Sequence, residues 1–244
     1  MQIGDFVGGN DVDILSSLQS NQIAPTTTIT VSGSGVWNLN SNSQTFGPYA
    51  AAATAITLVG GATAAGDINI GTGTLSLAGH GTTAANVANV NVTFFPAINT
   101  AVAPQITSSG AGSLTIVNGA TVGSTITVAD SPVTGELDFQ LPATIAGTTG
   151  SLIKAGAGRL ALTGDNTYAG TTTISAGAVR VLHEDALGDT GSDTSTIVSA
   201  GAVLELNLTG TVANELLRLD SNGTISGILN GGVPTALIMA SPST

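Results

Sequence analysis

The stretch that decides the fold is Leu152-x-Lys154-x-Gly156-x-Gly158-x-Leu160-x-Leu162-x-Gly164-x-Asn166-Thr167-Tyr168-x-Gly170-x-Thr172-x-Ile174-x-x-Gly177-x-Val179-x-Val181. Aliphatic residues recur at every second position and glycine or asparagine breaks each run. Alternation of period two puts one row of side chains inside and the other in water. Strands this short do not stand alone, and the pattern predicts that they stack on copies of themselves.

Self-similarity extends outward from this stretch. Gly71-Thr-Gly73-Thr-Leu75-Ser-Leu77 recurs as Gly110-Ala-Gly112-Ser-Leu114-Thr-Ile116 and as Gly156-Ala-Gly158-Arg-Leu160-Ala-Leu162, at offsets of 39 and 46 residues. Ser175-Ala-Gly177-Ala-Val179 recurs as Ser199-Ala-Gly201-Ala-Val203, at an offset of 24. One unit of about 20–24 residues, taken twice between the first copies, accounts for all of these spacings. The expected fold is all-β: a parallel β-helix, or solenoid, of about ten coils of roughly 20–24 residues. Predicted inward residues include Ile68 and Ile70, Ile126 and Val128, and Leu204 and Leu206. After Gly177 the inward pair is Val179 and Val181, whereas after Gly201 it is Leu204 and Leu206, so a one-residue slip predicts a bulge or a wider bend there.

Composition supports a thin, turn-rich β solid. Charged residues make up 8% of the chain, 42% is hydrophobic and there are 33 glycines, so the chain is too aliphatic for a disordered one. The formal net charge is -11, and the four basic residues are Lys154, Arg159, Arg180 and Arg218. Displacing counterions from nucleic acid or an anionic membrane needs clustered cations, so nucleic acid is excluded as a partner. The run from Tyr49 to Ala65, interrupted by Gly60-Gly61, predicts strand and turn, with no direct membrane insertion in this segment. Cysteine is absent, and stability must come from packing and hydrogen bonds. Met1-Gln2-Ile3-Gly4-Asp5 lacks the basic and apolar regions of a secretion signal.

The ends of a stack expose core and unpaired backbone, so they are expected to differ from its middle. Residues 1–24 are assigned as an N-terminal cap segment, in which Val12, Leu15 and Leu18 at threefold spacing predict a short amphipathic helix. Residues 25–244 are assigned to the β-helix, with its clearest repeat at 152–208. The C-terminal Ala240-Ser-Pro-Ser-Thr244 carries no polar closing helix and reads as an end that is cut or covered.

The run Gly156-x-Gly158-x-Leu160-x-Leu162-x-Gly164-x-Asn166-Thr167-Tyr168-x-Gly170-x-Thr172 resembles the passenger-associated transport repeat of bacterial autotransporters. The close likeness covers about an eighth of the chain. It implies a right-handed parallel β-helix exported through the outer membrane and displayed at the bacterial cell surface. The repeat implies no catalytic residue, being a structural and export element.

Residues able to do chemistry are few. Asp165, Glu184 with Asp185, and Asp189 with Asp193 are the carboxylates that a glycan-active enzyme would pair across a groove. Gly188-Asp-Thr-Gly-Ser-Asp193 reads first as a solvated bend, and four basic residues are too few to hold an acidic sugar. His80 and His183 are the only histidines, and His183-Glu184-Asp185 lacks HExxH spacing, so it reads as a surface histidine beside acids. Gly8-Gly9-Asn10-Asp11-Val12-Asp13 is superficially like a calcium-binding repeat, but it occurs once. Trp37, Phe46, Tyr49, Phe94 and Phe95 are expected to pack core or rim. No catalytic, cofactor or metal residue is therefore assigned, and no cofactor. The expected function is a non-enzymatic extracellular scaffold with an adhesive role toward a glycan or protein ligand. The alternative is a self-assembling filament or sheath subunit that stacks end to end.

Overall fold

A computed structural model describes residues 1–227 except 6, 8, 10, 49–52, 79–87, 95–100, 118–122, 134–136, 190–194, 209, 211, 213–215, 221 and 222. All regular elements among these are strands, and the strand ladders between coils are parallel. The chain visits three faces in turn, which makes the architecture a parallel β-helix.

Face one is a nine-stranded sheet of Gln2–Ile3, Ile29–Val31, Ala53–Gly60, Ala88–Phe94, Gly123–Val128, Ser151–Ala155, Thr172–Ile174, Ser195–Val198 and Leu216–Leu219. Face two begins as a four-stranded sheet of Asp13–Ser16, Gly35–Asn38, Asp67–Asn69 and Ile106–Thr107. It continues as a five-stranded sheet of Phe139–Leu141, Arg159–Leu162, Ala178–Val181, Val203–Leu206 and Thr224–Gly227. A bridge between Gln105 and Gln140 joins the two parts. Face three holds Gln44–Phe46, Thr74–Ala78, Ser113–Val117, Thr144–Gly147 and Thr167–Tyr168. Nine strands on face one stand close to the ten coils expected.

Alternation sorts the side chains as the sequence predicts. Ile68, Ile70, Ile126, Val128, Leu160, Leu162, Val179, Val181, Leu204 and Leu206 all belong to one continuous buried core. Val179 pairs with Leu204 and Val181 with Leu206, a step one residue longer than the glycine repeat. The extra residue is Ala202, buried in a turn closed by its amide on the Ser199 carbonyl at 3.0 Å. The bend therefore absorbs the slip and keeps both leucines inside.

Two expectations are corrected. Coil length is not uniform: Leu152 pairs with Thr172 and Thr172 with Thr196, but Leu58 pairs with Val92 and Val90 with Ile126. Coils of 20–24 residues fill the C-terminal part and recur at the N-terminus, where Asp13 pairs with Gly35, while those between run to 34 and 36. Leu75 pairs directly with Leu114, so the offset of 39 is one long coil rather than two short ones. Leu160 lies on face two while Leu75 and Leu114 lie on face three, so its motif is a similar bend on a different edge.

The second correction concerns the N-terminus. Asp13–Ser16 is a strand paired with Gly35–Asn38, not a helix. A sheet edge offers each residue backbone partners that an isolated four-residue helix cannot, and this overrides the threefold apolar spacing. Val12, Ile14 and Leu18 remain exposed.

Candidate functional site

The bends between face two and face three bring the most chemistry together. Leu162–Thr167 turns the chain in one coil and Leu182–Ala186 does so in the next. The Leu182 amide donates to the Leu162 carbonyl at 2.9 Å, and the Asn166 amide to the Asp185 carbonyl at 3.1 Å. Asn166 is buried and ties three coils together: its Oδ1 accepts the Ile145 amide at 2.7 Å and its Nδ2 donates to the Ala186 carbonyl at 2.6 Å. This clamp holds Asp165, whose side chain is exposed, over half-buried His183 and Asp185. One ligand atom from each of the three lies within 4.8 Å of the others. His183 Nδ1 accepts the Asp185 amide at 3.2 Å and lies 3.9 Å from the Asp185 carboxylate.

The other sequence candidates are scattered. Asp189 is exposed on the following bend, its amide on the Tyr168 carbonyl at 2.9 Å. Asp193, His80, Tyr49, Phe95, Gly8 and Asn10 lie outside the described residues. Trp37 and Phe46 are wholly buried, edge-to-face at 5.9 Å, and the indole donates to Ser17 Oγ at 3.1 Å. They pack core, as expected, and Phe94 is half-buried against it. Near the N-terminus, Ser34 Oγ donates to Asp13 at 2.6 Å and accepts the Asp5 amide at 2.9 Å. A cleft of about 400 Å³ there is lined by residues including Asp5, Asp13 and Ile14. Nearby Asp67 has its carboxyl pushed up to about 7, chiefly by burial. The Gln105 amide opposes that shift and the Asp11 charge adds to it.

Several polar residues escaped the sequence reading. Lys154 is wholly buried, in an inward position whose partners in adjacent coils are Ile126 and Ile174. Its ammonium donates to the Gly156 carbonyl at 2.9 Å and the Ala176 carbonyl at 3.0 Å. Burial lowers its pKa to about 8 against the opposing pull of Asp138. Its place was legible in principle, because Lys154 shares the parity of Leu152. Arg159 and Arg180 converge on Glu205 across face two, at 3.0 and 2.7 Å. Burial raises the Glu205 pKa, but hydrogen bonds from Arg180 and Arg159 outweigh it and hold the carboxyl below its ordinary value. Two of the four basic residues are thereby committed to one carboxylate.

Face three is chemically distinct. Thr45, Ser76, Thr115, Ala146 and Thr167 align in one outward row, and Thr74, Ser113 and Thr144 in a second. Rows of this kind repeat at about 4.8 Å between coils. No charged residue occurs in the five strands of this face. A cleft of about 340 Å³ opens on it, lined by residues including Thr115, Ala146, Thr148, Thr149 and Thr167.

Comparison with known proteins agrees with this architecture. Residues 152–181 match the family described as Passenger-associated-transport-repeat. Over 133 residues, 48% of this chain, the sequence is 35% identical to the Adhesin BmaC autotransporter of Brucella suis biovar 1 (strain 1330). The chain spans about 4% of the length of that relative. No solved structure matches the chain. Residues 152–181 thus match the transport repeat, and about half of the chain is similar to a short part of an autotransporter adhesin.

Proposed function

We propose that this autotransporter passenger segment is a non-enzymatic adhesive scaffold that meets an uncharged, hydroxyl-rich partner, a neutral glycan, through face three. The observation that carries the reading is the pair of outward threonine and serine rows, free of charge in a chain of net charge -11. Aligned hydroxyls and methyls offer hydrogen bonds and apolar contact without the desolvation cost of burying charge. The kinship with a protein named an adhesin supports the same reading.

A glycan array probed with the multimerised chain at 0.15 and 0.5 M NaCl tests this. Binding to neutral glycans that survives high salt is expected, because screening weakens only charge-driven contacts. Ser76→Glu with Thr115→Glu should remain folded and lose the binding. No binding to any neutral glycan sinks the reading.

A second reading, end-to-end assembly, is favoured by one observation. Val7, Val12, Ile14 and Leu18, exposed by 54–75%, all lie beside the outermost strands Gln2–Ile3 and Asp13–Ser16. Unpaired strand edges flanked by apolar side chains template further pairing. Light scattering over a concentration series decides it: association that Ile14→Glu abolishes supports assembly, and a monomer at every concentration removes it.

A further inference from the structure

We propose that Asp165, His183 and Asp185 form a binding site for a borderline first-row divalent cation, of which Zn²⁺ is the probe. In sequence the three are split between two bends and match no metal motif. Coil stacking places Asp165 directly beside His183 and Asp185, with one ligand atom of each within 4.8 Å of the others.

Ligand chemistry selects the class of ion. Imidazole nitrogen favours zinc and its first-row neighbours, whereas calcium and magnesium seek shells of oxygen alone. A tetrahedral zinc with bonds near 2.1 Å holds its ligand atoms about 3.4 Å apart. The closure needed from the present spacing is small, and the exposed Asp165 side chain is free to supply it by rotation. Two carboxylates neutralise the ion, and three protein ligands leave the fourth position to water or to a group from a partner. At His183, an ion on Nδ1 would replace the Asp185 amide as the partner of that lone pair.

The surroundings are rigid where it matters. Asn166, next to Asp165, is buried and bonded to the chain on either side, so the backbone carrying the ligands is fixed by core contacts. A bound ion would tie the transport repeat at Asp165 to the bend that follows it at His183 and Asp185. Because a ligating imidazole must be neutral, occupancy should fall as the medium is acidified.

The test is titration calorimetry of the whole chain with Zn²⁺ alone, at neutral pH in non-chelating buffer. One ion per chain with a Kd in the micromolar range is expected. His183→Gln and Asp165→Asn should each weaken binding at least tenfold, while His80→Gln and Asp189→Asn leave it unchanged. Circular dichroism of each variant establishes that the fold is retained, and millimolar Ca²⁺ or Mg²⁺ should not displace the zinc. The proposal is overturned if wild type shows no saturable binding below 100 µM, if the two site variants bind like wild type, or if His80→Gln removes the binding.

Discussion

Replacing Lys154 by methionine tests whether this core tolerates a charge or is burdened by it. The lysine is wholly enclosed, and burial brings its pKa from the ordinary 10.5 to about 8. A shift of that size corresponds to about 3 kcal/mol between the two protonation states. Below pH 8 both folded and unfolded chains carry the proton, and the fold bears the full cost of enclosing an ammonium. Between pH 8 and 10.5 the folded chain releases the proton while the unfolded chain keeps it, so stability rises with pH across that window. The methionine variant has no such proton, and groups shared by both proteins cancel in their difference. The expected result is that wild type gains about 3 kcal/mol on Lys154→Met between pH 7 and 10.5. That is about 1 M in urea midpoint for an m-value of about 3 kcal/mol/M. The absolute level at pH 7 is less diagnostic. Methionine removes the cost of the charge but strips a donor from the Gly156 and Ala176 carbonyls, worth roughly 1–3 kcal/mol each if left unpaired. Urea unfolding followed by circular dichroism at pH 7, 8, 9 and 10 reads the slope. Parallel curves for the two proteins would refute the reasoning, because they would mean that Lys154 does not change its protonation on folding.

Other perturbations probe the frame. Leu160→Asp places a carboxylate where the leucine is wholly buried and should cost more than about 4 kcal/mol, against under about 1 for half-buried Thr163→Asp; equal damage in thermal melts would overturn the inside–outside assignment. Gly156 and Gly201 share a φ of +78, but a Cβ on Gly156 would meet the Val128 carbonyl at 2.3 Å while one on Gly201 meets nothing within 4 Å. Gly201→Ala should therefore cost about 1 kcal/mol in a urea melt, the left-handed backbone alone, and Gly156→Ala clearly more. The Asp67 carboxyl, pushed up to about 7, binds its proton more tightly in the folded chain, so its contribution to stability is lost as pH rises from about 4 to 7. Asp67→Asn keeps an acceptor for the Gln105 amide and should stabilise by about 4 kcal/mol at pH 8 but not at pH 4, as read by urea midpoints.

The strands were legible because their code is local. Alternation alone assigns Val179, Leu204 and the rest of the inner row, and it assigns Lys154 to the interior as well. Coil length was not legible, because it is set by bends. The Gly71 and Gly110 copies match within their strands while the chain between them follows no period. The strand at Asp13 was misread because its pairing with Gly35–Asn38 is non-local, and spacing of three in six residues imitates a helical turn. The Asp165, His183 and Asp185 grouping was hidden for the same reason as coil length. Which bend lies over which depends on how many residues the chain spends between them.

The single extra residue at Ala202 carries a wider consequence. A one-residue insertion within a strand would turn every later side chain inside out, whereas at the bend it leaves Leu204 opposite Val179. Lengthening a loop is cheap, about 0.6 kcal/mol for each doubling. Frame and address are thus written in separate parts of the chain. The ladder can stay fixed over long evolutionary times while the corners are rewritten, so relatives should be comparable strand by strand and yet touch different things.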